Sequence, residues 1–204
     1  MNILAIGSHP DDIEFGCGGT LIKYAQKGHK IHLFVMSDAS TGPGDTVRRD
    51  EQLASNKAMG VEEIFWGGYT DTQIPVTKDA INAIEEVIQT VSPTMIFAHY
   101  FDDSHQDHRN VSKVTASATR YVKNALFYEG PTTQNFAPTV FVNIHDVLDK
   151  KLDALAAHAS QVMKTNIEGT SILDIAKASA TFRGLQGRVR NAEAFVPVRL
   201  FVNI

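Results

Sequence analysis

The chain has 204 residues, 43% of them hydrophobic, which is enough apolar material for a substantial core in one domain. Its formal charge of -4 is spread over both signs along the sequence, which excludes the concentrated basic footprint of a nucleic-acid binder or of a protein held on an anionic membrane. The single cysteine, Cys17, excludes an intrachain disulfide and a cysteine-rich zinc site, so a metal here has to be held by nitrogen and oxygen.

In chain order, short runs of β-forming residues alternate with longer segments of helical period. This is the pattern of βαβ units, and it predicts a Rossmann-like α/β domain with a mostly parallel sheet and helices on both faces. Strands are expected at residues 3–7, 31–36, 64–66, 95–99, 125–128 and 140–143, with a last one at 200–202. Helices are expected at 18–27, 46–59, 79–91, 106–122, 147–165 and 173–184, and loops over a site at 40–46 and 132–138. The N-terminus lacks the basic segment, long apolar core and cleavage site of a secretory leader, so the expected location is cytoplasmic. No apolar stretch approaches the roughly 20 residues that a spanning helix requires.

The first strand runs into His9-Pro10-Asp11-Asp12, and the strand at 95–99 is followed by His105-Gln106-Asp107-His108. Taken singly, the first reads as a turn or helix cap and the second as surface decoration. Both lie at carboxyl ends of expected strands, where open α/β sheets bind ligands, and together they read as a hydrolytic metal site. Two imidazoles and one carboxylate fill three of the four positions of zinc, the ligand count of a catalytic site. The tight first turn lets His9 and Asp12 converge while Asp11 points elsewhere, and His105 and His108 stand one helical turn apart. Asp107 is available as an orienting partner.

Gly16-Cys17-Gly18-Gly19 is not a dinucleotide fingerprint: a third glycine would fall at Leu21, and two aspartates would repel a pyrophosphate. These glycines are assigned to close packing of the first helix, and Cys17 to the core. His99 is read as a satisfied strand-end histidine, and Glu14, His158 and Gln161 as polar structure competing with pocket roles. Trp66 and Phe101 are the aromatic candidates for a sugar platform.

On these motifs the chain resembles the PIG-L / LmbE-like metal-dependent N-deacetylases, with supporting matches at Arg48-Arg49-Asp50-Glu51, at Ala157-His158-Ala159-Ser160-Gln161 and at Ala192-Glu193-Ala194-Phe195. The resemblance implies zinc ligation by His9, Asp12 and His108, with Asp11 as general base. It makes His105 an acidic or polarising histidine held by Asp107, and Arg48 the active-site arginine, with Arg49 adjacent to it. Two positions depart from the family pattern, Gln106 where many relatives have proline and Asp103 where some have tyrosine.

The expected function is removal of an N-acetyl or related acyl group from an amino sugar or its conjugate. Zinc is the expected metal, although ferrous iron or another divalent ion suits mixed nitrogen and oxygen ligands. The expected partner is a small N-acylated amine, with neither nucleic acid nor membrane, and a homo-oligomer is compatible with the sequence. Two alternatives remain: a deacylase for a non-sugar amide in a specialised biosynthetic pathway, and a metal-binding α/β module without turnover. A structural zinc site prefers four protein ligands, so a base beside three ligands argues against the module.

Overall fold

A computed structural model describes residues 1–42 and 44–202; Pro43, in the first expected loop, lies outside them. The first strands are near-continuous apolar runs because both their faces are covered. β1 (Asn2–Gly7) and β2 (Lys30–Val35) are buried from their second residue onward. With β3 (Glu63–Trp66), β4 (Met95–His99) and β5 (Ala125–Tyr128) they form a parallel set. β7 (Ala192–Arg199) runs antiparallel between β5 and β6 (Val140–Asn143), and the order across the sheet is β3-β2-β1-β4-β5-β7-β6.

Alternation along β1 divides the core. Ile3 and Ala5 face a cluster with Ile13, Leu21, Leu33 and Phe195, whereas Leu4 and Ile6 face one with Phe34, Ile84, Val111 and Val114. The first face is covered by α1 (Asp12–Gln26) and α5 (Leu148–Ala156), with α6 (Ile172–Gly187) and α2 (Val47–Met59) packed beside them. The second is covered by α3 (Lys78–Val91) and α4 (Gln106–Ala118). From β1 the chain winds one way through β2 and β3, and from β4 the other way, so the switch point opens between the carboxyl ends of β1 and β4.

Four elements differ from expectation by four residues or more. α1 starts at Asp12 rather than 18, because the glycines lie within the helix and allow it to approach the sheet. A Cβ on Gly16 would fall 2.1 Å from the Tyr128 ring, and one on Gly19 would fall 3.0 Å from Ile144. α4 stops at Ala118, and α5 stops at Ala156 where a helix to 165 was expected; turns follow to the Ser171 capping box that opens α6. The last strand is residues 192–199 rather than 200–202. Pro197 obscures it in the sequence, and the sheet tolerates that proline next to a register shift opposite Ala125 and Leu126.

Candidate active site

The switch point holds the first cluster. Gly7 ends β1, and Ser8 N–H donates to His99 Nε2 at 3.1 Å, tying the ends of β1 and β4 together. Asp11 then takes φ 93° and ψ -25°, a left-handed conformation that non-glycine residues adopt rarely and mostly at functional turns. The twist divides neighbouring carboxylates. Asp12 turns inward and accepts the His9 backbone N–H at 2.7 Å, while Asp11 meets Arg48 of α2 at 3.1 Å.

Three groups converge on Asp12. His9 Nδ1 lies 3.4 Å from Oδ2, His108 Nε2 lies 3.2 Å from Oδ1, and His99 Nε2 lies 3.2 Å from Oδ2. One donor atom from each of His9, Asp12 and His108 falls within 4.8 Å of the others. Bonds of about 2.0–2.1 Å to a tetrahedral ion separate its donors by about 3.3 Å, so the spacings fit a cation such as zinc.

The second cluster arrives on α4. His105 caps that helix, its Nδ1 accepting the Asp107 backbone N–H at 3.2 Å, and its ring stacks on His108 with centroids 4.5 Å apart. The Asp107 carboxylate does not hold His105, contrary to the expectation from sequence. It turns instead to the β3–α3 connection, where it accepts from Thr72 N at 2.8 Å and Ile74 N at 3.3 Å, and it lies 3.1 Å from His9 Nε2. Asp107 therefore orients His9. His108 is oriented by Asp103, whose Oδ2 is 3.3 Å from Nδ1 and whose carboxylate also accepts from Thr132 and Thr133.

The charges follow these contacts. Burial opposes protonation of His9, but its hydrogen bonds to Asp107, Asp12 and Asp71 outweigh it and push its pKa up to about 12. Burial likewise opposes protonation of His108, yet Asp12 and Asp103 carry it to about 9. For Asp12 the burial penalty is overcome by His108 and His99, which hold it well below the usual carboxylate range. Asp11 goes the other way: burial, then the charge of Asp12, raises it to about 7 against the pull of Arg48 and His158. Burial, then positive charge on His108 and His9, lowers His105, so the cationic state expected for it is not favoured by this arrangement. A carboxylate-rich pocket that raises the pKa of two imidazoles suits a cation.

Asp11, Asp12 and His105 line one cavity of about 430 Å³, together with Phe15, Pro131 and Thr132, with Gln161, Lys164, Thr165, Asn166 and Ile167 of the α5–α6 connection, and with Ile172 and Ile175 of α6. Arg48, not Arg49, reaches the site, donating to Asp11 and to the Pro10 carbonyl; Arg49 pairs with Asp38 and lies over Trp66. Neither Trp66 nor Phe101 lines the cavity. Phe101 packs at a tilt against Tyr100 instead, and Phe15 is the one Phe, Tyr or Trp that lines the cavity.

Five contributors are either missed in the sequence or read there as structural. His99 touches Asp12, and Asp71 reaches His9 Nε2 at 2.9 Å from the β3–α3 connection, where no local motif announces it. Asp103 stands in the sequence as a departure from tyrosine, and its place two residues before His105 is the signal that could have found it. Glu14 and His158 form a buried pair at 3.4 Å behind Asp11, with Gln52 and Ser55 donating to the same carboxylate.

Residues 4–119 match the family profile described as PIG-L, GlcNAc-PI de-N-acetylase. Among curated relatives, the chain is 35% identical over 167 residues to a protein of Escherichia coli K12 named uncharacterized deacetylase YaiS, covering 78% of this chain and 90% of that one. It is 27% identical to a probable N-acetyl-alpha-D-glucosaminyl L-malate deacetylase 2 of Bacillus cereus, covering 91% and 94%. Among solved structures, N,N'-diacetylchitobiose deacetylase from Pyrococcus horikoshii superposes with a TM-score of 0.84 at 24% identity, over 97% of this chain and 83% of that one.

Proposed function

The chain belongs to the PIG-L family of de-N-acetylases, and from that premise we propose that it is a zinc-dependent hydrolase that removes an acetyl group from the nitrogen of an amino sugar or its conjugate. The observation that carries the proposal is that Asp12, a member of the donor triangle, shares its cavity with Asp11 and His105.

His9, Asp12 and His108 would hold the ion. A divalent ion supplies Lewis acidity, polarising the amide carbonyl and acidifying a water molecule. Asp11 is the general base: it lies outside the ligand triangle, and burial brings its pKa to about 7, near the optimum for a proton acceptor at neutral pH. Arg48 fixes its orientation by holding one carboxylate oxygen. His105 faces the same cavity without joining the triangle, and because its Nδ1 accepts a backbone N–H, its Nε2 is the atom that carries a proton toward substrate. A proton on that nitrogen stabilises negative charge on the amide oxygen, and Asp11 returns the proton it took to the leaving amine. Asp107 and Asp103 keep His9 and His108 in the tautomers that direct their free nitrogens at Asp12.

The test is a screen of the zinc-reconstituted and the chelated protein across free and conjugated N-acetyl amino sugars, with acetate and amine both measured. Equal release of the two, dependent on metal, is expected. Turnover of acyl amides that lack a sugar, with none of N-acetyl sugars, would move the function to a non-sugar amide.

A further inference from the structure

The cavity lining mixes two chemistries. Beside Asp11, Asp12 and His105 it carries five apolar side chains, Phe15, Pro131, Ile167, Ile172 and Ile175, interspersed with the polar Thr132, Gln161, Lys164, Thr165 and Asn166. The apolar part is firmly backed, because Phe15 is buried and forms a small core with Leu155 and Ala176, against which Ile172 and Ile175 pack. The turns after α5 continue it outward, where Ile167 is 57% exposed at the mouth of the cavity. The polar neighbours can meet sugar hydroxyls, but the five apolar side chains cannot, and a hydroxyl turned onto Phe15 or the isoleucines would surrender bonds to water and gain no partner from them.

Resting on the deacetylase reading above, we propose that the substrate carries an apolar substituent, alkyl or aryl, which packs on Phe15, Ile167, Ile172 and Ile175 while the amide meets Asp11 and His105. The same chemistry can enter from either end of the molecule, as an aglycone on the sugar or as an acyl chain longer than acetyl, and two substrate series separate these sources.

The experiment measures kcat/KM for amine release by the zinc-loaded protein on alkyl glycosides of N-acetylglucosamine, methyl to hexyl, and on N-acyl glucosamines, acetyl to hexanoyl. Each methylene buried on these apolar side chains should raise kcat/KM about three- to fourfold. A rise along the glycosides identifies an apolar aglycone, and a rise along the acyl chains identifies a longer acyl group. Ile175→Asn should flatten the slope. Ile167→Gln, at an exposed position where the fold does not depend on the side chain, should lower it too and guards against a trivial folding defect. Flat rates in both series, with the methyl glycoside and the acetyl amine still hydrolysed, would overturn this inference and leave the deacetylase reading standing. No amine from any member would overturn both.

Discussion

Helix α1 carries two buried polar clusters, and they differ in whether their charges close on themselves. At its middle, Lys151 Nζ donates to the Phe15 carbonyl and to Glu193 Oε1, both at 2.6 Å, and the Glu193 carboxylate accepts Gly19 N–H at 2.8 Å and Thr20 N–H at 2.7 Å. The pair is inserted into the backbone of the helix, and each charge is matched. At the N-terminal end of the same helix, Asp12 is faced by three imidazoles and His9 by three carboxylates. Around that end Ser8 Oγ, Glu14 Oε2, Arg48 Nε and His99 Nδ1 are buried without a hydrogen-bond partner among the described residues. Burial alone does not mark function. The closed cluster holds α1 in place, and the open one holds the groups whose protonation can change.

The contrast is sharpest for Asp11→Asn, the largest expected effect. Loss of a general base should lower turnover about 10²–10⁴-fold while metal content and thermal midpoint stay near wild type, checked by single-turnover rates beside metal analysis. Lys151→Met acts at the other cluster and should do the opposite. Leaving Glu193 buried and unpaired should cost about 3–5 kcal/mol of folding free energy in denaturant titration, with unchanged metal stoichiometry in the folded fraction. A change in metal affinity instead would merge the two clusters into one.

Asp103→Asn and Asp107→Asn sharpen the comparison within the open cluster. Each should weaken metal binding about 10–100-fold in a competition titration with a chromophoric chelator, and Asp107→Asn should act through His9. If Asp107→Asn altered the pH profile of a His105-dependent step with metal affinity intact, the sequence-based pairing of Asp107 with His105 would be restored.

The last effect concerns pH. His108 and His9 have folded pKa values above the ordinary histidine value, so their contribution to stability is fully present below about pH 6.5 and is lost as pH rises toward 9 and beyond. Asp11, raised to about 7, acts in the same sense, losing its contribution as pH rises through that value. Asp12 has the opposite sign, but its loss falls in acid, below this window. The chelated protein should therefore become less stable from pH 6.5 to 9, while the stabilisation added by zinc grows because the metal replaces those protons. A denaturation midpoint that is flat across the window in the chelated protein would contradict the proton assignments.

Much of this was legible in the sequence, for identifiable reasons. β1, β2 and β4 are largely apolar runs buried on both faces, and the two histidine clusters follow the ends of β1 and β4, where the strand order reverses. What stayed hidden depended on side-chain direction or distant approach. The left-handed turn at Asp11 fits the expected divergence of the two aspartates, but nothing local shows that the Asp107 carboxylate points to His9 while its backbone caps toward His105. Asp71 comes from a connection far along the chain, and the apolar lining depends on α5 ending at Ala156, a stop that the helical period of the following residues disguises. Described residues include no helix long and apolar enough to cross a membrane, in line with the hydropathy reading.

The central claim is that the open cluster binds one catalytic metal ion, and titrating zinc into the chelated protein while following acetate release tests it most directly. Activity should rise linearly, break at one equivalent and stay level, and Asp12→Ala should show neither the rise nor the break. Full acetate release before any metal is added, or tight binding of one equivalent with no gain in rate for any N-acyl substrate, would contradict it.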